Sequence, residues 1–291
     1  DDLYQLAKDC SYDKWSKDKT VALKADIDLG KAEFIPIPIF CGNFDGQGHT
    51  INGLSINVEG SNQGFIRYLQ EGGVVKNLKV QGFVTPGGQK SNVGGLVGDN
   101  SGVLENCSFS GFVSGKDNVG GLVGLNGNTG LIINCSSNGV VHGKSKVGGI
   151  TGFNTGTVLR SSNNANVNTT VEELQLDLQD LTIDNVNPFK TFIDAIDIGG
   201  IAGFNSGVVQ SSENTGIVGY PHVGYNVGGI AGRQTGYMTE CLNHGEVYGR
   251  KEAGGIVGQM EPYISTSMSP SGLRELQWAL NNLQSSINTL L

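Results

Sequence analysis

Proline is scarce in this 291-residue chain, with seven residues, and charged residues make up only 16%. Several classes of protein are excluded by what is missing. No run of 18 apolar residues exists, so no segment reads as a membrane-spanning helix. A formal charge of −8 and the lack of a basic stripe oppose binding to the phosphates of a nucleic acid. The five cysteines, Cys10, Cys41, Cys107, Cys135 and Cys241, contain no CxxC pair, form no even disulfide framework and fit no zinc spacing. No HExxH occurs, and His49, His142, His222 and His244 are scattered. The chain therefore offers no metal-ligating set and no cofactor-binding set.

Glycine is what the chain has in excess, with 46 residues, more than twice the usual share of roughly 7%. Collagen is excluded because glycine does not fall at every third position and proline is not abundant. The glycines instead mark an internal repeat that begins at Val93, Val119, Val147, Ile198, Val227 and Ala253. Each unit reads approximately VGGΦxGxNxGxΦxNCxxxGxVxG, and a degenerate copy runs from Asn62 to Val84. Apolar residues come in short alternating bursts such as GGLVG, GVLENC and GFVSG. That is strand periodicity broken by turn residues, and the bursts are too short for helices. Three short strands per turn of about 26 residues make the unit of a parallel β-solenoid, in which each coil buries its apolar face only by stacking on the next.

The double glycines, from Gly94-Gly95 to Gly254-Gly255, predict either a left-handed backbone or very close approach of neighbouring coils. Asn100, Asn126, Asn154 and Asn205, with Gln234 in the next unit, predict a column of turn amides able to bond from coil to coil. Cys107, Cys135 and Cys241 share one position with Ser161 and Ser212, as small inward packing groups do. Adjacent coils would bring Cys107 and Cys135 within cross-linking distance.

GGLVGDN, GGLVGLN and GGITGFN resemble the GLUG motif, and the resemblance covers about 62–260. GGIAGRQ at 228–234 departs from it by losing the asparagine. The motif occurs in repeats of bacterial surface proteins and in the non-catalytic N-terminal region of some IgA-specific metalloendopeptidases. The resemblance implies an all-β fold, a right-handed parallel β-helix on a secreted or cell-surface bacterial protein, and it carries over no catalytic residue. It leaves open that the chain is a non-catalytic part of a larger surface protease.

Three regions follow from the pattern. Residues 1–61 form an N-terminal cap and irregular first coils, with Leu3, Leu6 and Ala7 spaced for a short capping helix. Residues 62–262 form the repeats, interrupted at about 168–197 by an insertion with seven acids and one lysine. Residues 263–291 are a linker and an amphipathic helix whose Leu273, Leu276, Leu280, Leu283, Ile287 and Leu290 make a heptad seam, a cap on the last coil or a surface for a helical partner. About eight coils are expected in all.

Function is less legible. A polysaccharide lyase or hydrolase needs carboxylates converging on one face, yet aligning the units places Leu125 beside Asp99 and Ile133 beside Glu105. Asp45 and His49, in FCGNFDGQGHTINGLSI, invite a catalytic assignment, but a glycine turn with a carboxylate bonding the backbone accounts for them. One aromatic group stands out around GYPHVGYN: Tyr220, His222, Tyr225, Tyr237, His244 and Tyr248, whose polar-tipped rings suit sugar or protein contact. The expectation is a non-catalytic stalk, adhesion or ligand-binding module facing a host or cell-wall glycan or protein. The alternative is a carbohydrate-active β-helix enzyme with its site in the first coils or the insertion.

Overall fold

Bursts of three to seven apolar-alternating residues cannot form a core alone, and stacking supplies one. The computed structural model describes residues 2–12, 14–30, 32–87, 90–170 and 195–262, and over these the chain is a parallel β-solenoid. Three sheets are eight strands deep and a fourth has six. Sheet I runs from Thr20–Ala22 to Tyr237–Thr239, and sheet II from Ile37–Phe40 to Val257–Met260. Sheet III runs from Ile27–Asp28 to Leu242–Asn243, and sheet IV from Ser91–Gly94 to Lys251–Gly254. Each strand pairs in parallel with its counterpart one coil on, as in Val97↔Val123↔Thr151 and Leu104↔Ile132↔Val158. Eight rungs joined by seven turns fill the deepest sheets.

A repeat coil holds four strands rather than the three expected. Asp117–Gly120, Val123–Asn126, Leu131–Ile133 and Ser136–His142 make one circuit. The extra strand arises because Gly120-Gly121 splits what reads as one burst, so that the residues before it pair as sheet IV and those after as sheet II.

The reason for the double glycine is close approach. Neither Gly120 nor Gly121 has a left-handed φ. A Cβ on Gly121 would lie 2.2 Å from the Gly149 carbonyl oxygen and 2.0 Å from Ser137 Oγ, distances no side chain tolerates. The left-handed positions are elsewhere. One column, Asn92, Asn118, Lys146, Asp197, Asn226 and Glu252, precedes the sheet IV valine, isoleucine or alanine of each coil. A second, Asn77, Asn106, Asn134, Arg160, Ser211 and Glu240, stands at the corner from sheet I into sheet III.

Leu96, Leu122, Ile150, Ile201 and Ile230 stand in one interior file, fully buried and joined through successive backbone hydrogen bonds. Beside them runs the amide column. Asn100 Nδ2 donates to Asn126 Oδ1, Asn126 to Asn154, Asn154 to Asn205 and Asn205 to Gln234 Oε1, at 2.7–2.9 Å. A second ladder, Asn163 to Asn214 to Asn243, lies inside sheet III at 2.7 and 2.8 Å.

The N-terminal end of the core is closed by α1, Asp2–Asp9, whose Leu3, Leu6 and Ala7 are buried. Beneath it Phe34, Phe40, Phe44 and Phe65 form a cluster with ring centroids 5.5–6.1 Å apart. The first coils are irregular at one point, where the register shifts between Ile51 and Leu54. The insertion falls where the chain passes from sheet III to sheet IV. Its residues 171–194, and the heptad segment 263–291, lie outside the described residues.

Candidate functional site

Sheet register decides whether acids meet. Asp99 lies between Tyr68 and Leu125, Glu105 between Lys76 and Ile133, and Asp117 between Ser91 and Ser145. Asp99 is half-buried without a cation, and burial raises its pKa. Among the described residues no three His, Cys, Asp or Glu side chains gather as a metal-ligand set.

In the first coils Asp45, Lys76 and Glu105 stack in one column of sheet I, with charge alternating and Lys76 Nζ 3.6 Å from Asp45. Asp45 accepts the Gln47 backbone N–H at 2.9 Å and an Asn77 amide hydrogen at 3.1 Å, and these bonds hold its pKa low. His49 meets a different acid, with Nδ1 3.1 Å from Asp26, which also accepts the Thr50 N–H. Asp45 and His49 are thus two separate turn contacts, each with its own partner.

The aromatic residues divide. Tyr220 and Val223 bridge a tight turn that carries His222 in a left-handed conformation. With His142, Asn168, Thr170 and Ala195 they line a small recess where the insertion leaves and rejoins the solenoid. Tyr248 is one coil on, its backbone against Gly219 and its hydroxyl donating to Glu246 at 2.6 Å, which raises its pKa. Tyr225 lies on sheet IV with Arg250 5.8 Å from its ring. Tyr237 stands on sheet I and His244 beyond sheet III, 3.4 Å from Glu213, so the six do not form one patch.

All five cysteines are free. Cys107 N–H donates to Cys135 Sγ at 3.4 Å, so the pair is adjacent as the repeat predicts. The hydrogen bond with Cys135, together with burial, pushes the Cys107 thiol up.

One surface passed unnoticed in the sequence. The outer face of sheet III over strands Lys79–Val84, Ser108–Ser114, Ser136–His142 and Ser162–Val167 carries serine, asparagine and glutamine beside a file of Phe83, Phe112 and Val140. The alternation in CSFSGFVSG is the signal that marks it, because every second residue there points outward.

Fold and site together define a glycine-rich parallel β-helix of stacked repeats, with its polar groups laid out in columns. Residues 117–141 match the GLUG motif, and the coils on either side repeat its pattern within the parallel β-solenoid. It is 43% identical over 90 residues to halomucin of Haloquadratum walsbyi, a match covering 31% of this chain and 1% of that protein. It is 38% identical over 71 residues to a protein of Evansella cellulosilytica named as a Gly-rich membrane protein, covering 24% of this chain and 8% of the other. The chain thus corresponds to a small part of both relatives. No solved structure matches it. Among the described residues no helix is long and apolar enough to cross a membrane.

Proposed function

We propose that the chain is a non-catalytic structural module of a secreted or cell-surface protein, a stiff repeat that spaces or presents contacts. The observation that carries this reading is the continuous stacking of four sheets and two buried amide ladders, with carboxylates kept out of register over the repeats. The names of the two relatives, a halomucin and a Gly-rich membrane protein, support a surface setting. The recess beside Tyr220, flanked by His222, is a candidate contact point for a glycan or protein ligand.

Two measurements test it. Labelling of intact cells with a membrane-impermeant amine reagent is expected to modify the chain. Incubating the purified chain with neutral and acidic polysaccharides is expected to release no new reducing ends and no unsaturated uronate. Release of oligosaccharides would overturn the reading in favour of a lyase or hydrolase. The Asp45–Lys76–Glu105 column is then the first place to look, through Asp45→Asn and Glu105→Gln.

A further inference from the structure

We infer that the outer face of sheet III is a docking surface for a linear, uncharged polysaccharide lying along the solenoid axis. The proposal rests on the surface-module reading above and names its partner.

The face is defined by register. Lys79, Ser108, Ser136 and Ser162 form one outward column, and Gln81, Ser110, Asn138 and Asn164 a second. Phe83, Phe112, Val140 and Asn166 form a third. The residues that alternate with them, Val80, Phe109, Val113, Val141 and Val167, point inward and are buried. Across these four strands the three columns hold one charged side chain, Lys79, whereas the neighbouring sheet I column alternates Asp45, Lys76 and Glu105. With that single cation and no acid, the face offers no run of complementary charge to an acidic polymer or a basic peptide.

What the face does offer is hydroxyls, amides and an apolar strip. Phe83 is 61% exposed, while Phe34, Phe40, Phe44, Phe65 and Phe109 are completely or almost completely buried. Exposed aromatic carbon beside neutral hydrogen-bonding groups fits the apolar face and hydroxyl rim of a sugar ring. Because the strands are parallel and in register, each column repeats at about 4.8 Å, so a polymer along the axis meets a hydroxyl or amide at each of the four strands and an apolar side chain at the first three. Such repetition adds weak contacts into a useful affinity without a deep pocket.

The test is native electrophoresis of the purified chain in gels containing galactomannan, hydroxyethylcellulose or polygalacturonate. Retardation by at least one of the two neutral polymers is expected, with none by polygalacturonate. The double variant Phe83→Ser/Phe112→Ser should weaken that retardation about tenfold, and Tyr12→Ala, at an exposed ring just beyond α1, should leave it unchanged. If the thermal midpoint shows the double variant to be unfolded, Phe83→Ser alone decides. No retardation by either neutral polymer, retardation by polygalacturonate alone, or equal retardation of the variants would overturn the proposal. So would sedimentation showing that the face instead joins two copies of the chain. Failure here leaves the structural-module reading intact, whereas release of reducing ends refutes that reading and removes the premise of this one.

Discussion

Adding one methyl group to Gly121 and one to Gly255 asks the same question of two equivalent positions with opposite surroundings. The first would collide with the Gly149 carbonyl, while the second has nothing within 4 Å among the described residues. Gly121→Ala should cost about 1–3 kcal/mol, and Gly255→Ala should stay within about 0.5 kcal/mol, both read from urea denaturation. Equal effects would mean that backbone freedom, not contact, selects glycine. A second residue-scale expectation concerns Cys10. Burial, reinforced by Asp9, pushes its thiol from 9.0 up to about 11. Between these values the folded chain keeps a proton that the unfolded chain has released, so stability falls as pH rises; below pH 9 the contribution is intact. Urea midpoints at pH 8, 10 and 11 should fall more steeply for the native chain than for Cys10→Ser.

At the scale of elements, α1 is the piece whose removal has the most local consequence. A repeat array holds each coil mainly through its neighbours, so damage at an end stays near that end. Leu6→Asp places a charge against the buried face of the helix and should cost about 3 kcal/mol there. Hydrogen exchange should then quicken at 20–45 while 119–167 keeps its protection; uniform loss would show one indivisible unit. The helix was legible because Leu3, Leu6 and Ala7 mark a single face. The interior file and the Asn100–Gln234 ladder were legible because a repeat of 26 to 29 residues converts sequence position into height along the axis. Sheet IV was not, since nothing in DNVGGLVG shows that the chain breaks pairing between its two halves. Nor were the left-handed columns, where Lys146, Arg160 and Glu240 adopt the conformation that asparagine holds elsewhere. The tyrosines divide for a related reason: successive strands of one coil go to different faces, so Tyr225 and Tyr237 are close in sequence and on different sheets.

The coil that carries the insertion shows how far the rest of the solenoid determines itself. Three residues separate Val141 from Ser145, whereas 28 separate their partners Val167 and Ile196. Register nevertheless resumes without a shift, with Val147↔Ile198 and Phe153↔Phe204 paired and the Asn154–Asn205 bond made at 2.7 Å across 51 residues of chain. Asn168 makes the corner locally, accepting from Gly143 N–H and donating to its carbonyl, each at 2.8 Å. The information for stacking therefore lies in the flanking coils. Deleting 171–194 leaves four residues where the coil below uses three, and closing a shorter loop should raise stability by at most about 2 kcal/mol. A thermal midpoint a few degrees higher, with unchanged strand content by circular dichroism, is the expected result. A midpoint below that of the full chain would mean that the acidic segment takes part in holding the coils together, and the solenoid could no longer be treated as a sum of its repeats.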